Sequence, residues 1–398
     1  MIPQGALEAV FWLSAGAVVY AYVGYPLLLA LLTAARRPPA RQRPRAEARH
    51  LPFLSVIVAA YNEARCIRAK LRTSLDPRYP WDRLEVIVVS DGSTDGTDAL
   101  VAAYPDPRVR LLRQEPRAGK SSALNRGVAA ARGDVLVFTD ANALFAPGAL
   151  RRLAAPFGDA RVGLVSGQGL YASGLPGDTR VVGNGYVRYE ALIKSAEAGL
   201  GFIAGADGAI YALRRSLYQD LDAGHVNDLL HPIQAAIARH ACRFDGDACT
   251  IEPPSRDGRQ EFRRHVRIIA QGVHLTSRWL PRLLAAGCWR AAWLLLSHRL
   301  LRWTSALFLA AALVSNVLLL DAHPVYRVTL VAQGVFYALA LAGLLAERRR
   351  IALGPLAIPY YFCVVSAAGL AGVVRCCRSG ADAVWSPTGG ASITERAA

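Results

Sequence analysis

Acidic and polar side chains that could bind a charged ligand are concentrated in three short segments. These are AAYNE at 59–63, SDGSTDGT at 90–97 and TDAN at 139–142. Carboxylate and amide oxygens are the ligands that Mg²⁺ and Mn²⁺ prefer. If Asp91 and Asp140 converge in the fold, they suit a ligand that combines ribose hydroxyls with a metal-bridged diphosphate. Asp95 has an adequate alternative role as a turn or helix-capping residue.

A basic segment between these acidic ones looks like part of an ATP-binding loop. It reads EPRAGKSSALNRG and spans 115–127. A P-loop reads G-x-x-x-x-G-K-[ST], with glycines at both ends so that backbone N–H groups wrap the phosphates. When Gly119 and Lys120 form its end, the position of the first glycine is occupied by Gln114. The match therefore fails, and the segment needs another interpretation.

Four apolar runs in the middle of the chain are predicted strands, at 53–60, 84–90, 109–113 and 135–139. Helix-period stretches separate them. This alternation predicts an α/β fold with a mostly parallel sheet covered on both faces by helices. Ligands bind beyond the carboxyl ends of the strands in such sheets. The three acidic segments directly follow the first, second and fourth strands, so we expect their side chains at one site.

The ends of the chain have the composition of membrane segments. Apolar residues make up 53% of the chain and charged residues 19%. Residues 10–32 contain no charged side chain, and at about 1.5 Å per residue they can span a hydrocarbon core of about 30 Å. Arginines follow this segment rather than precede it, which predicts an uncleaved anchor. Residues 35–50 carry six arginines and one glutamate, so the positive-inside rule predicts a cytoplasmic domain after them.

Two further spans are predicted near the C-terminus, at 304–320 and 328–346, with 321–327 outside and 347–350 inside. Residues 277–303 mix Trp, Leu and Arg, which is typical of a helix lying in the membrane interface. A short, tilted spanning helix is the alternative interpretation of that stretch.

The apolar stretch 351–374 has two interpretations. A full crossing places Arg375 and Arg378 outside, against the positive-inside rule. Pro355 and Pro359 permit a broken or re-entrant segment that keeps the tail inside.

Charge and cysteine content exclude other classes. The formal net charge of +16 fits a membrane surface, because no zinc spacing, ribonucleoprotein motif or homeodomain-like helix accompanies it. Nucleic acid is therefore not a predicted partner. The seven cysteines form no C-x-x-C pair, which indicates free thiols in a reducing cytoplasm. Adjacent Cys376 and Cys377 have lipidation as an alternative role.

Four motifs together resemble one known family. They are VIVAAYNE, VSDGSTDGT, RAGKSSALNRGVAAARGDVLVFTDAN and GADGAIYALRR, in this order and spacing. The chain from about 54 to 272 is similar to glycosyltransferase family 2, the inverting enzymes with a GT-A fold. Membrane helices on both sides make it similar to the cellulose-synthase-like and poly-N-acetylglucosamine-synthase-like branch. The resemblance implies a Rossmann-like catalytic domain that transfers sugar from a UDP-sugar.

The resemblance also implies the residues of the donor side. Tyr61 and Glu63 match residues beside the uracil, and Asp91 matches the aspartate that reads the uridine. Arg117 matches a contact to the diphosphate, and Lys120 supports that loop or the nucleotide.

A metal site is implied at the end of the fourth strand. Asp140 matches the first member of an Asp-x-Asp motif, and Asn142 stands where the second aspartate is expected. An amide oxygen can ligate Mg²⁺ or Mn²⁺ but brings no charge, so a lower metal affinity is expected.

Acceptor-side roles carry over to GADGAIYALRR and to GHVNDLL at 224–230. Gly205 and Gly208 permit close backbone approach, with a tight turn as their alternative role, and Asp207 is placed to contact a sugar hydroxyl. Asn227 replaces the glutamate of a Glu-Asp pair. Asp228 matches the general base, with helix N-capping as its alternative role.

EFRRHVRIIAQG at 261–272 resembles the Gln-x-x-Arg-Trp region of the family. Arg267 matches the arginine that clamps the diphosphate. Arg264 stands for Gln and Ile268 for Trp, and loss of that Trp puts processive synthesis in doubt. A basic amphipathic helix on lipid headgroups is the alternative interpretation.

The predicted organisation has six parts: an anchor at 1–35, a basic linker at 36–52, a GT-A domain at 53–275, interfacial helices at 276–303, a membrane region at 304–375 and a tail at 376–398. The expected protein is multi-pass in the inner or plasma membrane, with a cytoplasmic catalytic domain. Its expected acceptor is a saccharide of the exopolysaccharide type or a lipid. Two alternatives are a single-addition lipid enzyme similar to ceramide glucosyltransferase and a non-catalytic partner of a polysaccharide synthase.

Overall fold

The computed structural model describes residues 3–34, 51–171, 180–252, 258–349, 351 and 353–379. The predicted basic linker up to residue 50 and the predicted tail from residue 380 lie outside the described residues.

A single mixed sheet forms the centre of the middle domain. Its strands are β1 (Leu54–Ala60), β2 (Leu84–Asp91), β3 (Val109–Gln114), β4 (Val135–Asp140), β5 (Leu144–Phe145), β6 (Val162–Tyr171), β7 (Tyr211–Arg214) and β8 (Ala241–Glu252). The spatial order is β3-β2-β1-β4-β7-β6-β8-β5. β1 to β4 pair in parallel, which confirms the four predicted strands. β7 is antiparallel to β4 and β6, while β8 runs parallel to β6.

The sheet is covered on both faces, as its apolar strands predict. Every residue of β1 and β2 is buried. Ile57 and Ala59 belong to the core on one face, whereas Val56 and Val58 belong to the core on the other. This alternation follows from the two-residue period of a strand, so a strand buried on both sides reads as a continuous apolar run.

The helices are α1 (Gln4–Val19), α2 (Tyr25–Ala34), α3 (Ile67–Ser74), α4 (Thr97–Ala102), α5 (Lys120–Ala130), α6 (Ala149–Ala154), α7 (Arg180–Gly199), α8 (Asn227–Ile237), α9 (Gly258–Ala285), α10 (Trp289–Leu295), α11 (Leu301–Trp303), α12 (Ser305–Leu318), α13 (Pro324–Arg348) and α14 (Ala357–Ser379). The predicted boundary between residues 275 and 276 falls inside α9, because this helix is continuous from Gly258 to Ala285.

Three helices of the described chain are long and apolar enough to cross a membrane: Gln4–Ala34, Pro324–Arg348 and Gly354–Arg378. The first consists of α1 and α2 joined by a π-helical turn at Tyr20–Gly24. The count rises to four if Trp289–Trp303 and Ser305–Leu318, which are bent by 60°, form one span.

Helix α14 contacts both α13 and α9. Near its start, the hydroxyl of Tyr360 donates to Glu347 at the end of α13. Near its end, a Cβ on Gly372 would lie 2.8 Å from Ile269 of α9. Trp303 lies against Gly272 of α9, and α12 and α13 contribute to one small apolar cluster. Helix α14 is continuous from Ala357 to Ser379, and the two interpretations of the stretch 351–374 stay predictions.

Candidate active site

The carboxylate of Asp91 organises the loop that follows β3. Asp91 is fully buried at the end of β2. Its Oδ1 accepts hydrogen bonds from Gln114 Nε2 at 2.6 Å and from the backbone N–H of Ala118 at 2.8 Å. Its Oδ2 accepts from the backbone N–H of Gly119 at 3.0 Å. Gly119 has a φ of 89°, which glycine adopts readily, so the loop can turn both amides toward one carboxylate.

Two residues predicted for the donor side meet above this loop. The guanidinium of Arg117 lies 3.8 Å from the ring centroid of Tyr61. Its Nε is 3.5 Å from Oδ2 of Asp91. Arg117 is therefore held between an aromatic face and a buried carboxylate, and its side chain stays partly exposed at the edge of the sheet.

Asp140 and Lys120 form an ion pair at the start of α5. Lys120 Nζ lies 2.6 Å from Asp140 Oδ1. Burial raises the pKa of Asp140, but the charges of Lys120 and Arg264 outweigh it and hold the pKa below its usual value. Asp140 is therefore an anion at neutral pH. Asn142 lies two residues further on and is half-buried.

The residues present fit a metal ion that is shared with a substrate. Among the described residues, no group of three or more His, Cys, Asp or Glu side chains is arranged to hold a metal ion. Asp140 and Asn142 supply hard oxygen donors of the kind that Mg²⁺ and Mn²⁺ accept. Mg²⁺ commonly binds through one or two protein oxygens and completes its shell with phosphate oxygens and water.

A buried lysine, which the sequence analysis missed, braces the turn that carries Asp140 and Asn142. Lys70 Nζ donates to Thr139 Oγ1 at 2.6 Å and to the backbone oxygen of Ala143. It also lies 3.9 Å from the ring centroid of Phe145. Burial lowers the pKa of Lys70 to about 7, although Asp140 and Glu252 oppose the shift. Lys70 lies on the buried face of α3 beside Leu71, so helical periodicity could have identified it.

Asp207 fixes the segment that was predicted for the acceptor side. Its Oδ2 accepts from the N–H of Gly169 at 2.9 Å, and its Oδ1 accepts from the N–H of Ala209 at 3.2 Å. The N–H of Ala206 donates to the backbone oxygen of Asp228 at 2.8 Å. These bonds join the segment to β6 on one side and to the start of α8 on the other.

Asp228 lies in the first turn of α8 and does not cap it. The N-cap residue is Val226, without a side-chain capping bond. A Cβ on Gly208 would lie 3.1 Å from Asp228 Oδ2. Burial raises the pKa of Asp228, the negative charges of Asp140 and Asp207 act in the same direction, and Lys120 and Arg299 oppose them. A carboxylate with a raised pKa suits proton acceptance.

Asn227 has a different environment from the predicted one. It is buried, and its Nδ2 donates to the hydroxyl of Tyr211 at 2.5 Å. That hydroxyl lies 2.9 Å from Nδ1 of His231, a ring whose pKa burial lowers to about 3. Asn227 therefore fixes the start of α8 from within the core and is not positioned to contact an acceptor.

An arginine from the predicted interfacial region reaches the acceptor segment, which the sequence analysis did not foresee. Arg299 Nε donates to the backbone oxygen of Ala204 at 3.0 Å. A Cβ on Gly205 would lie 2.5 Å from Arg299 Nη2, so this position leaves no space for a side chain. The glycine is thus explained by close approach of a membrane-proximal helix.

Arg267 lies on α9 and is half-buried. Burial lowers its pKa, Arg264 and Arg375 act in the same direction, and Asp140 and Asp228 oppose them. The charge of Arg264, which was predicted with it, also acts on Asp140. The loop that binds Asp91 continues into Lys120, which pairs with Asp140, so residues 118–120 connect these two carboxylates.

Two more carboxyl groups border this site. Burial raises the pKa of Glu63, the Cys66 thiol opposes the shift by donating at 3.1 Å, and Asp140 contributes to it. Burial and the charges of Asp140 and Asp207 raise the pKa of Glu252 to about 7. Glu252 ends β8 and was not identified from the sequence.

Two polar residues have structural roles. Asp95 Oδ1 accepts from the N–H of Thr97 at 3.0 Å, which confirms its turn role. Asn125, to which no structural role was assigned, binds the backbone of Leu221 through both ends of its amide.

Comparison with known proteins agrees with this geometry. Residues 55–221 match the family model described as glycosyl transferase family 2. The chain is 41% identical over 103 residues to the succinoglycan biosynthesis protein ExoO of Rhizobium meliloti, covering 26% of this chain and 29% of that protein. It is 40% identical over 99 residues to the probable glycosyltransferase YdaM of Bacillus subtilis, covering 24% of each. The matches thus span less than a third of these relatives.

A solved structure extends the likeness over most of the chain. The mannosyltransferase PcManGT from Pyrobaculum calidifontis, in complex with GDP-Man and Mn²⁺, superposes with a TM-score of 0.67. The likeness covers 94% of this chain and 99% of that one, at 23% sequence identity, and so concerns the fold.

The sheet and its flanking helices, some of which are apolar enough to span a membrane, confirm the expected GT-A fold. The match to residues 55–221 confirms the expected resemblance to glycosyltransferase family 2 within that segment. The cellulose-synthase-like branch stays a prediction.

Proposed function

We propose that this chain is a membrane-integrated inverting glycosyltransferase that moves a sugar from a UDP-sugar to a saccharide or lipid acceptor. The observation that supports the proposal is the 2.6 Å ion pair between Lys120 and Asp140, which follows directly on the loop whose amides bind Asp91. In this proposal Arg267 binds the diphosphate, Asp140 binds the metal and Asp228 is the base, at the edge of the sheet where ligands bind in such folds.

The donor side binds and orients the nucleotide diphosphate. Arg117 and Lys120 supply positive charge, and Lys120 stands in the first turn of α5, where free N–H groups favour an anion. The proposed pocket for the nucleobase is lined by Tyr61, Glu63 and Asp91. Their contacts to uracil and ribose stay predictions.

Asp140 and Asn142 would hold the divalent ion. When bound, the ion neutralises charge that develops on the departing diphosphate. Arg267 also stabilises the negative charge on the departing diphosphate, and Arg264 adds to the local positive potential.

Asp228 is the proposed general base. Its carboxylate takes the proton of the acceptor hydroxyl as that oxygen bonds to the anomeric carbon of the sugar. The bond from that carbon to the diphosphate oxygen breaks, and the electron pair leaves with UDP. Attack opposite the leaving group inverts the anomeric centre. Asp207 and the backbone at Gly205 and Gly208 then line the acceptor side.

A cytoplasmic catalytic domain in the inner or plasma membrane follows from the arginine-rich segment 35–50. Within this proposal, one observation favours the single-addition lipid enzyme over a polymer synthase. Among the residues that the structure describes, three helices, or four with the bent pair, are long and apolar enough to span a membrane. So few helices give a polymer a narrow channel, whereas a lipid needs only a lateral opening.

The direct test is a donor panel on full-length protein purified in detergent, with a lipid extract of its native membrane as acceptor source. UDP-glucose, UDP-galactose, UDP-N-acetylglucosamine and GDP-mannose are compared by nucleotide release and by product mass. We expect UDP release from at least one donor and a product one sugar heavier than a lipid. Preferential use of GDP-mannose would refute the uridine assignment, and a ladder of masses would favour polymer synthesis. No release from any donor would favour the non-catalytic alternative.

A further inference from the structure

A cluster of polar side chains is buried where the membrane helices meet the catalytic domain. We call it the junction cluster, and it consists of Tyr25 on α2, Glu190 and Glu197 on α7, His298 in the π-helical turn Leu296–Leu300 and Arg302 on α11. Tyr25, Glu197 and His298 are almost completely buried. Buried ionisable groups persist where they are paired, and a well-packed apolar substitute would often be as stable. The cluster therefore calls for a role beyond stability.

One carboxylate of this cluster connects three separate parts of the chain. Glu197 Oε1 accepts from the hydroxyl of Tyr25 at 2.5 Å and lies 2.8 Å from His298 Nδ1. Glu197 Oε2 accepts from the backbone N–H of Ala204 at 3.0 Å. A membrane helix, a membrane-proximal turn and the start of the acceptor segment thus share the two oxygens of a single side chain.

The second carboxylate of the cluster has different partners. Glu190 Oε2 lies 3.0 Å from His298 Nε2, and Glu190 Oε1 accepts from Arg302 Nη1 at 2.5 Å. These bonds hold the helices of the junction together. Glu190 contacts the helices of the junction, whereas Glu197 also contacts Ala204.

The contact at Ala204 is close to the proposed base along the backbone. Ala204 precedes Gly205, and its carbonyl oxygen accepts from Arg299 at 3.0 Å. Ala206 then donates to the backbone oxygen of Asp228 at 2.8 Å. A Cβ on Gly208 would lie 3.1 Å from the carboxylate of Asp228. A shift at Ala204 is therefore transmitted to Asp228 over a few residues of hydrogen-bonded backbone.

We propose that Glu197 is a positioning residue for the acceptor half of the site. It holds the amide of Ala204 where residues 204–208 present the acceptor to Asp228, and Tyr25 and His298 hold Glu197. The geometry of the acceptor segment then depends on how the N-terminal membrane helix packs against the catalytic domain. The inference rests on the proposed function only in assigning residues 204–208 to the acceptor. A displacement of about 1 Å can lower a rate about a hundredfold, so such control has consequences for transfer.

The test compares three variants of the full-length protein in phosphatidylethanolamine and phosphatidylglycerol nanodiscs. Glu197→Gln keeps the shape of the side chain, but its single carbonyl oxygen cannot accept from Tyr25 on one side and from Ala204 on the other, because the NH₂ group only donates. Glu190→Gln is the matched control, because it makes the same change on the same helix without a bond to Ala204. Tyr25→Phe removes one hydroxyl from Glu197 and leaves its other partners in place.

Three quantities are measured for each variant: hydrogen exchange of the amides at 203–208, affinity for UDP, and the ratio of transfer to donor hydrolysis with native lipid extract. In Glu197→Gln we expect exchange at 203–208 to rise at least about fivefold, as loss of one hydrogen bond implies. We expect the transfer ratio to fall about ten- to a hundredfold. UDP affinity stays unchanged, because the donor loop lies elsewhere. Tyr25→Phe should show smaller changes of the same kind, and Glu190→Gln should leave exchange at 203–208 unchanged.

Equal effects of the two glutamate substitutions on residues 203–208 would show a general loosening of the junction and overturn the proposal. Unchanged exchange in a folded Glu197→Gln protein would overturn it as well. If Glu197→Gln does not fold, Tyr25→Phe decides, since unchanged exchange and transfer there would refute the dependence on the membrane helix. The exchange measurement needs no substrate, so it succeeds or fails independently of the proposed transferase activity.

Discussion

The donor and acceptor halves of the site are built in different ways. On the donor side, Asp91 and Asp140 stand at the ends of β2 and β4, and their partners lie in the loop and helix after β3. On the acceptor side, residues 204–208 are held by Glu197 and by Arg299. The first half is complete within the sheet and its helices, whereas the second depends on elements next to the membrane. Nucleotide binding and acceptor transfer should therefore respond separately to substitution.

Electrostatics distinguishes two carboxylates within the same site. Positive neighbours outweigh burial at Asp140 and keep its pKa low, whereas burial dominates at Asp228 and raises the pKa. A group that must stay charged to bind a cation thus lies near one that must accept a proton. Environments that shift two carboxyl pKa values apart are typical of divided catalytic roles.

The largest effect is expected from Asp228→Asn. The amide keeps the shape of the side chain but cannot take the acceptor proton, so transfer should fall by about 10²–10⁴-fold. UDP affinity should stay within about twofold, because hydrogen bonds to the donor loop are unchanged. Nucleotide release with lipid extract and equilibrium binding of UDP measure the two quantities.

Asp222→Asn is the matched control for this variant, since the Asp222 side chain is 78% exposed and lies in the segment before α8. Its transfer rate should equal that of the native protein. Full activity in Asp228→Asn would show that Asp228 is not the base, and Glu252 would become the next candidate for that role.

The opposite pattern is expected for Asp91→Asn. An Asn side chain cannot accept from Gln114, Ala118 and Gly119 together, and lost bonds to a charged group are worth about 1.5–3 kcal/mol. UDP affinity should therefore fall about ten- to a hundredfold, with a smaller loss of transfer at saturating donor. Asp106→Asn, which weakens a partly buried ion pair with Arg108, is the control. A purely catalytic defect in Asp91→Asn would contradict the division between the two halves.

How much could be predicted differs between the halves for physical reasons. β1 to β4 are uninterrupted apolar runs, so these strands were predicted, and with them the positions of Asp91 and Asp140 at the ends of β2 and β4. β6 contains glycines that weaken its strand signal. At Gly167 a Cβ would lie 2.2 Å from the backbone oxygen of Ala248, so close strand approach requires glycine there. Antiparallel β7 has only four residues, and the acceptor half was not predicted as a sheet.

The missed residues are buried groups whose partners are distant in sequence. Glu252 meets Asp140 and Asp207, and Arg299 meets Ala204, only after folding. Asn227 was misassigned because successive residues of a helix point about 100° apart. One of two adjacent polar residues at the start of α8 therefore faces the core and the other faces the site, and spacing alone does not tell which.

The pH dependence of transfer should separate the halves again. Because the pKa of Asp228 is raised, the base becomes protonated at a higher pH than an ordinary aspartate, whose pKa is about 4. Below that raised pKa, kcat/KM should fall about tenfold per pH unit. Asp140 has a lowered pKa and stays ionised, so UDP binding should persist to lower pH than transfer. Coincident loss of both would contradict this assignment.

Protonation of Glu252 does not unfold the protein, so it does not explain a loss of transfer activity at low pH. Its pKa is raised to about 7 in the folded protein from 4.5, so the folded state binds the proton more tightly than the unfolded state. As pH falls from about 7 to about 4.5, protonation of Glu252 therefore increases stability. Melting temperature measured across the same pH range checks that the protein remains folded.

The smallest effect is expected from Gly208→Ala. A new Cβ 3.1 Å from Asp228 Oδ2 is closer than an ordinary van der Waals contact, so the carboxylate must move by a few tenths of an ångström. Transfer should fall about two- to tenfold, because catalytic geometry is sensitive to such shifts, while UDP affinity stays unchanged. Gly158→Ala is the control, since its Cβ would meet nothing within 4 Å. If Gly208→Ala weakened UDP binding as much as transfer, the acceptor segment would also belong to the donor half, and the division between them would not hold.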